Sequence, residues 1–537
     1  MKYDHYFDYE EVTEMCRALT REYPHLTALS SIGKTYEGRD IWALTLTDPD
    51  TGAPESKAGF HMNGNLHAVE LTSSMTVLHT VELLLSGFGR IPAITRFLRD
   101  YTVYAIPRIN ADGAELCLKT PDTVRGSVEK FYGEEEGLVP EDMDGDGEIL
   151  QMRILDPAGN WKISKCDPRV MEKRGPFDQE GPFYRVVPEG RVRGDDLVSL
   201  KTAQPQMALD PNREFPFEWS EKTSYGQKPV SGPEPLHDSE VRALHDFILA
   251  HPNICFAMDF HTFGGLHISP ATFCPHLELP PQDAEAMITI GRNLSEVTGY
   301  KSEGIFPQGA KDIARGSFTT WLYFERGIMA WLTELWNFHW QADPKRPDEW
   351  SMFAQETKAQ FEREETMALS WDEEKNGGRG FAMWTPFEHP QLGPVEIGGW
   401  REKFTKHNPP VTLMEGVVRK GCACILASLS AMPQVSIECL TATERDGAYE
   451  IEAIIANAGY LPTASTQKAV VLGIGADFTC ALEGGDCRTA RSVELQNLDG
   501  YAKTRVRWSV YAQPGETLRV SVTSARAGNA SAELTLR

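Results

Sequence analysis

The chain has 537 residues, of which 41% are hydrophobic and 24% charged, and its formal net charge is −24 at pH 7. This length predicts two or three domains with large buried cores. The negative charge argues against a nucleic-acid partner, since binding a phosphate backbone requires a basic face.

The sequence carries no sign of a secretory or membrane protein. Residues 1–14 are polar and acidic and lack the apolar core of a signal peptide. No apolar stretch approaches the roughly 18 residues of a membrane span. Ten cysteines occur without a regular framework, which in a long chain favours reduced, buried thiols. We therefore expect a cytoplasmic protein with no membrane partner.

Strands and helices alternate over the first part of the chain. In chain order we predict a helix at residues 9–23, strands at 29–34 and 40–47, a strand ending near 64, a helix at 72–85, a strand at 101–106, a helix at 236–250, a strand at 254–261, helices at 283–298 and 317–326, and a strand at 328–335. This alternation predicts an α/β domain at residues 1–400, with a mostly parallel or mixed open sheet flanked by helices. Such sheets bind ligands beyond the carboxyl ends of their strands.

The pattern breaks at about residues 127–207, a Gly-, Pro- and Asp-rich segment that predicts an insertion. Within it, Asp142, Asp144 and Asp146 stand at alternate positions before a glycine, as in the first half of an EF-hand calcium loop. Arg153 occupies the position of the bidentate glutamate of such a loop, and no helix clearly precedes it. Two interpretations stay open, a Ca²⁺ site and an Asp/Gly turn that holds no ion.

Residues 410–537 differ in character from the rest of the chain. Thr- and Val-rich runs alternate there with Gly, Asn and Asp turns, and the predicted strands are 435–440, 449–455, 469–472, 504–510 and 517–523. Short, evenly spaced strands predict a β-sandwich. It lacks the chemistry-bearing motifs of the first part and most resembles an accessory domain.

The segment Gly64–Glu70 follows an apolar strand and precedes an apolar-periodic helix. We expect His67 and Glu70 in the first turn of that helix, where residues i and i+3 share a face and could bind one ion. Zinc takes nitrogen and oxygen ligands, and a catalytic zinc site keeps one position open for water. Taken alone, such a pair is more often an ordinary polar helix start.

Three further motifs strengthen the interpretation of His67 and Glu70 as metal ligands. His261 ends an apolar strand, Asn212 and Arg213 lie in a turn after Asp-Pro, and Glu334 lies inside an apolar strand. A histidine at a strand end is usually a surface group, and Asn-Arg is an ordinary turn. A carboxylate in an apolar strand is unfavourable unless it is paired or functional, so Glu334 indicates a function by itself.

Together and in this order, the motifs resemble the zinc carboxypeptidases of the carboxypeptidase A/B type, closer to the regulatory (N/E-like) branch than to the digestive one. The resemblance covers roughly residues 5–345. Residues 107–113 resemble the family's Pro-x-x-Asn-Pro-Asp-Gly segment, with Ala111 in place of proline. Residues 210–215 resemble its Asp-x-Asn-Arg-Asn-Phe segment, with Glu214 in place of asparagine.

The resemblance implies a set of catalytic roles. Zinc would be held by His67, Glu70 and His261, with water at the fourth position. Glu334 would be the general base that takes a proton from this water and delivers it to the leaving amine. Arg125, twelve residues beyond the family's Asp-Gly pair, would stabilise the developing oxyanion.

The resemblance also implies how substrate is bound. Asn212 and Arg213 would clamp a free C-terminal carboxylate, which suits the guanidinium fork. Asp210 would orient the imidazole of His67. The family's mobile active-site tyrosine has no counterpart in the expected segment, where Phe306 could cap the substrate but cannot donate a hydrogen bond.

Our leading hypothesis is a zinc metallocarboxypeptidase acting on peptides or small peptide-like amides with a free C-terminal carboxylate. One alternative is a zinc-dependent amidohydrolase or deacylase that acts on N-acyl amino acids or other small amides. The other is a catalytically inactive scaffold whose β-sandwich binds a partner. Because long loops in compact domains are usually functional, we expect the insertion to wall the cleft and restrict substrates to short peptides or small conjugates.

Overall fold

A computed structural model gives the fold of residues 1–225, 228–270, 274, 276–303, 315–343, 358–475 and 478–537. The first elements in chain order are α1 (Tyr9–Glu22), β1 (Thr27–Lys34), β2 (Asp40–Leu46), β3 (Ala58–Gly64), α2 (Leu71–Gly87), α3 (Pro92–Asp100), β4 (Tyr101–Ile106) and α4 (Ala111–Lys119). Helix α1 begins at a capping box, in which the Asp8 carboxylate accepts from the Glu11 N–H and the Glu11 side chain accepts from the Asp8 N–H.

The predicted insertion contains six short strands. They are β5 (Gly137–Pro140), β6 (Gln151–Leu155), β7 (Trp161–Ile163), β8 (Met171–Lys173), β9 (Phe183–Pro188) and β10 (Gly190–Arg193). The chain then continues with β11 (Ser224–Tyr225), β12 (Lys228–Pro229), α5 (Ser239–Ala250), β13 (Ile254–Thr262), β14 (Leu266–Ile268), α6 (Pro281–Thr298), β15 (Lys301–Glu303), α7 (Phe318–Arg326) and β16 (Met329–Leu335).

Within the described residues, the main sheet has eight strands in the order β1-β2-β4-β3-β13-β16-β14-β15. Its four central strands, β4, β3, β13 and β16, are parallel, whereas β1 and β2 at one side and the β16–β14 pair are antiparallel. Helices α1, α2, α3 and α6 pack on one face, and α5 and α7 pack on the other. The predicted α/β class with a mixed sheet between helices is confirmed.

Residues after β16 return to the insertion before they reach the C-terminal sheets. They form α8 (Phe338–Ala342), α9 (Lys358–Trp371), β17 (Phe381–His389), β18 (Gly393–Trp400) and α10 (Val411–Leu429). Strands β17 and β18 complete a six-stranded sheet, β17-β18-β6-β9-β7-β8, with the insertion. An ion pair between Arg153 and Glu396, with nitrogen–oxygen distances of 2.8 and 3.0 Å, joins β6 to β18. Strands β17 and β18, from a later part of the chain, therefore hold the insertion in place.

The C-terminal strands form two four-stranded antiparallel sheets around one apolar core. The elements are β19 (Val435–Arg445), β20 (Ala448–Asn457), α11 (Gln467–Leu472), β21 (Phe478–Glu483), β22 (Asp486–Cys487), β23 (Ser492–Leu495), β24 (Lys503–Tyr511), β25 (Thr517–Ser524) and β26 (Gly528–Thr535). Two extra all-β sheets at the C-terminus agree with the prediction.

One strand predicted within residues 410–537 is wrong, and the segment directly after residue 410 is helical. The predicted strand at 469–472 is helix α11, because the Thr466 hydroxyl caps its first turn and Gly473 ends it in the left-handed conformation. The Val-rich run after residue 410 is helix α10, which packs against α2 and α6. Gly421 lets α10 approach α2 closely, since a Cβ there would lie 2.4 Å from the Thr76 methyl group.

The C-terminal sheets dock at the start of the central strands, opposite the edge where those strands end. The Ser465 hydroxyl donates to the carbonyl of Cys255 in β13 and accepts the N–H of Met329 in β16. Arg526 is buried, with 1% exposure, and donates to the carbonyl oxygens of Arg326 and Gly327 at 2.7 and 3.1 Å. These contacts tie the sandwich to the α/β domain.

Replacing Arg526 by alanine should lower the free energy of unfolding by about 3 kcal/mol or more, because buried carbonyl groups lose their donors. Equilibrium urea unfolding measures this change. Arg519→Ala is the matched control, since Arg519 is exposed in β25 and its change should stay within about 0.5 kcal/mol. Equal stability of the two variants would show that the docking contacts contribute little.

All ten cysteines are free thiols and seven of them are buried, in agreement with the expected reduced state. In the described part of the chain no single helix is long and apolar enough to cross a membrane. One pair of helices, α2 and α3, reaches that length together but is bent by 102°.

Candidate active site

The candidate site lies where three parallel strands end. Strand β13 places His261 beside Glu334 of β16, and the two residues are partners in the parallel register. Strand β3, on the other side of β13, leads into the turn that carries His67 and Glu70. The carboxyl ends of neighbouring parallel strands therefore bring these four side chains together.

The prediction that His67 and Glu70 lie in the first turn of a helix is wrong. Helix α2 begins at Leu71, and both residues belong to the preceding turn. Their side chains meet because the turn pairs with another segment, as the Ala68 and Val69 N–H groups donate to the carbonyls of Arg125 and Val124. The carbonyl oxygens of His67 and Ala68, which a longer helix would use as acceptors, instead accept from the Asn65 side-chain amide.

Three side chains converge on one point. Nδ1 of His67 lies 2.8 Å from Oε1 of Glu70, and Nδ1 of His261 lies 2.8 Å from Oε2 of the same carboxylate. The two Nδ1 atoms are 2.9 Å apart. All three side chains are buried, with exposures of 2% or less. The structure thus brings together the three predicted metal ligands.

Two further carboxylates hold the imidazoles from behind. Asp210 Oδ1 lies 3.1 Å from Nε2 of His67, and Asp259 Oδ2 lies 2.8 Å from Nε2 of His261. Burial opposes a charged His261, but Asp259 and Glu70 outweigh it and hold its pKa well above the usual value. Burial likewise opposes a charged Glu70, but both imidazoles keep the pKa of Glu70 below its usual range.

This arrangement fits a metal cation. A neutral imidazole whose Nε2–H donates to a carboxylate presents its Nδ1 atom as an acceptor. The two Nδ1 atoms and the Glu70 carboxylate then face one another as acceptors, which a shared cation satisfies. Two imidazole nitrogens and one carboxylate are a donor set of catalytic zinc sites, and carboxylates behind the histidines fix their orientation.

Glu334 is the predicted general base, and it is half-buried beside His261. Among the described residues its Oε2 atom is buried without a hydrogen-bond partner. Burial, together with the charge of Glu70, raises the pKa of Glu334 to about 8. A Cβ on Gly264 would lie 2.9 Å from the Glu334 Cβ, so glycine at this position leaves room for the carboxylate.

Arg125 approaches the same cluster from the loop after α4. Its Nε atom lies 3.0 Å from Oδ2 of Asp210, and Nη1 lies 3.5 Å from Oε1 of Glu70. The side chain is 47% exposed, so one side of the guanidinium faces solvent. Burial opposes ionisation of Asp210, but Arg125 and His67 outweigh it and hold the pKa of Asp210 well below its usual value. Arg125 is therefore placed beside the cation position.

The predicted carboxylate clamp lies in a short 3-10 turn, Pro211–Arg213. The Asn212 side-chain oxygen accepts the N–H of Phe318 at 2.8 Å, which leaves its Nδ2 group as the donor for a ligand. Arg213 is half-buried and donates to the Asn212 carbonyl at 2.6 Å. Asp210 joins this turn to His67. Phe306, the predicted cap, lies outside the described residues.

The predicted calcium loop lies on the surface of the insertion, remote in sequence from these ligands. Asp142, Asp144 and Asp146 each offer an oxygen within 4.8 Å of the others, and the latter two are exposed. The Asp142 carboxylate accepts the N–H groups of Gly145 and Gly147, as an Asp/Gly turn without an ion would. Calcium binding at this loop stays a prediction of the sequence.

Two elements of the site escaped the sequence analysis. Asp259 lies two residues before His261 on the same face of β13, and a carboxylate in that apolar strand was the available signal. Asn408 comes from the segment after β18 and binds the Glu70 turn, donating to the Val69 carbonyl at 2.7 Å and accepting the Thr72 N–H at 3.0 Å. No local sequence pattern indicated that long-range contact.

A cleft of about 880 Å³ opens beside Arg125 and Asp210. Its walls come from the segment after α4, from the insertion, and from residues 400–404. Arg401 and Glu148 form an ion pair that joins two of these walls. The insertion therefore borders the candidate site, as expected from its length.

Most of the chain matches two known domain families. Residues 12–144 and 183–363, more than half of the chain, match the zinc carboxypeptidase family, and residues 432–535 match a domain of unknown function (DUF8731). The gap in the first match falls within the insertion. A zinc carboxypeptidase of Saccharothrix mutabilis subsp. capreolus is 32% identical over 119 residues, which cover 22% of this chain and 27% of that protein.

A carboxypeptidase B of Astacus astacus is 23% identical over 337 residues, covering 61% of this chain and 85% of that protein. Among solved structures, thrombin-activatable fibrinolysis inhibitor has a TM-score of 0.44 at 13% identity, over 80% of this chain and 74% of that one. The match to the Saccharothrix protein spans only about a quarter of its length.

Proposed function

Because the chain belongs to the zinc carboxypeptidase family, we propose that it is a zinc metallocarboxypeptidase that hydrolyses the C-terminal amide bond of peptides or small peptide-like conjugates. One observation carries the proposal. The side chains of His67, Glu70 and His261 converge beside the buried oxygen of Glu334, at the same sheet edge as the Asn212–Arg213 turn.

The proposed mechanism assigns proton transfer to Glu334. When bound, zinc supplies a Lewis acid that polarises the scissile carbonyl and lowers the pKa of water towards about 7. Glu334 takes the proton of the attacking water at its carboxylate and returns it to the nitrogen of the leaving amine.

Arg125 and the Asn212–Arg213 turn act on the substrate itself. The guanidinium of Arg125, fixed by Asp210, faces the carbonyl oxygen as negative charge develops there. Arg213 and the Nδ2 group of Asn212 hold the terminal carboxylate, which fixes the last peptide bond against Glu334. This selects an exopeptidase, because an internal peptide bond has no carboxylate at that position.

The direct test compares blocked dipeptides that differ only in a free or amidated C-terminus. Release of the last residue is followed by chromatography. We expect kcat/KM for the amidated peptides to be lower by roughly 10²-fold, since they lack the charge that the clamp binds. Equal hydrolysis of both series would refute the exopeptidase, and hydrolysis of N-acyl amino acids alone would favour a deacylase.

Metal dependence gives a second test. Removal of zinc by a chelator should abolish hydrolysis, and added zinc should restore it in the native protein. His67→Ala should bind one equivalent of metal less than the native protein, and added zinc should not restore its hydrolytic activity. His25→Ala is a matched control that should keep native activity, since His25 is an exposed histidine that lies with Asp48 and Asp50 in a group of similar spacing. Full activity of chelated protein would rule out the metal mechanism.

The walled cleft predicts a limit on substrate size. Short peptides and small conjugates should be processed at least tenfold faster than the C-terminus of a folded protein of identical terminal sequence, because the insertion and residues 400–404 restrict access. Competition between the two substrates, followed by mass spectrometry, measures the ratio. Equal rates would show that the insertion does not restrict entry.

A further inference from the structure

A second cluster of metal-ligating side chains lies directly behind the Asn212–Arg213 turn. Glu129, His237 and Asp238 each offer one ligand atom, and these atoms lie within 4.8 Å of one another. Nε2 of His237 is 3.1 Å from Oε2 of Glu129. Asp238 is buried, whereas Glu129 and His237 are partly exposed, so an ion could enter from solvent.

Glu214 supplies an independent observation at this cluster. Its side chain is wholly buried, and within the described residues its Oε1 atom has no hydrogen-bond partner. The other oxygen, Oε2, accepts the N–H of Asp238 at 2.8 Å. A Cβ on Gly232 would lie 3.2 Å from Glu214 Oε1 and 3.1 Å from His237 Cβ, so the unpartnered oxygen and the His237 side chain border the same space.

The cluster concentrates negative charge in a buried place. Burial and the neighbouring Asp238 raise the pKa of Glu214, and burial and Glu240 raise that of Asp238. Buried carboxylates are ordinarily paired with a cation or coordinate a metal. A cation at this position would offset the negative charge of these acids and of the neighbouring Glu214.

We propose that Glu129, His237 and Asp238 hold a second divalent transition-metal ion, beside the buried acid Glu214 and apart from the ion at His67. An imidazole among carboxylates suits zinc or manganese better than calcium or magnesium, which prefer oxygen ligands alone. This site goes beyond the proposed function and does not depend on catalysis.

The position of the ion gives it a structural role. The Asp238 side chain bonds to Ser127, two residues beyond Arg125, and Glu214 directly follows Arg213. Asp238 also stands at the start of α5. One ion would thus connect the loop that carries Arg125, the turn that carries Arg213, and the helix behind them.

The experiment counts bound metal in the full chain. Protein is equilibrated with Zn²⁺ or, separately, with Mn²⁺ in metal-free buffer, passed over a desalting column and analysed by inductively coupled plasma mass spectrometry. We expect two equivalents in the native protein for at least one of the two ions. His67→Ala and Asp238→Asn should each retain one, and the double variant none. A native count of one would overturn the proposal.

Two controls keep the result decisive. Since Asp238 is buried and its variant could misfold, Glu129→Gln and His237→Ala at partly exposed positions should show the same loss of one equivalent, with an unchanged circular dichroism spectrum. Asp144→Asn removes a ligand of the exposed loop and should keep both ions. Loss of the second ion in Asp144→Asn, or its retention in both Glu129→Gln and His237→Ala, would contradict the proposed site.

Discussion

Replacing Glu334 by glutamine is expected to lower kcat by roughly 10²- to 10⁴-fold, because glutamine cannot take the proton of the attacking water. The amide is isosteric with the carboxyl group, so the strand and its neighbours should be undisturbed. Metal content should stay at the native level, since Glu334 lies beside the three ligands and is not one of them. Steady-state hydrolysis of a blocked dipeptide, with metal analysis of the same sample, measures both quantities.

Glu325→Gln makes the same chemical change near the end of α7 and should leave kcat unchanged. KM should also change little in Glu334→Gln, because the carboxylate clamp is intact. A native kcat in Glu334→Gln would show that Glu334 is not the general base. Joint loss of metal and activity would instead mean that this residue supports the metal site.

Replacing Arg213 by alanine should raise KM by roughly 10²- to 10³-fold for peptides with a free C-terminus, while kcat changes by only a few fold. Loss of one partner of a buried charge pair weakens binding by about 2–5 kcal/mol. The half-buried guanidinium lies beside Asn212, whose Nδ2 group is the second donor of the clamp. Initial rates over a range of substrate concentrations separate KM from kcat.

Amidated peptides provide the internal control for this variant. They lack the carboxylate that Arg213 binds, so Arg213→Ala should hydrolyse free and amidated peptides at similar rates. Arg213→Lys keeps the charge but loses the two-pronged geometry, and its KM should lie between those of the native protein and the alanine variant. An Arg213→Ala variant that still prefers free carboxylates would place the clamp elsewhere.

Strands and helices with strong periodicity were predicted well. The predicted bounds of β4 are those of the structure, and α1, α5, α6, α7, β13 and β16 fall within a few residues of their predicted positions. In these elements the spacing of the apolar residues by itself indicates which face is buried. By contrast, residues 469–472 form a helix because Thr466 caps them and Gly473 ends the turn, a local effect stronger than their β propensity.

The residues that support the candidate site come from segments that are distant in sequence. His67 and Glu70 were expected on a helix, but they lie in a turn that pairs with residues 124–125. Asn408, more than 300 residues away, holds the same turn. The insertion was recognised by composition, yet only the structure shows that β17 and β18 complete its sheet.

The α/β class followed from the sequence alone, because periodic apolar runs are local properties of a chain, and the candidate ligands His67, Glu70 and His261 followed from the resemblance of its ordered motifs to the zinc carboxypeptidases. Tertiary structure decided which side chains meet. The parallel register of β13 and β16 sets His261 beside Glu334, and the packing behind Arg213 brings Glu214 to Asp238. Such juxtapositions arise from the pairing of distant segments, for which a single sequence contains no direct signal.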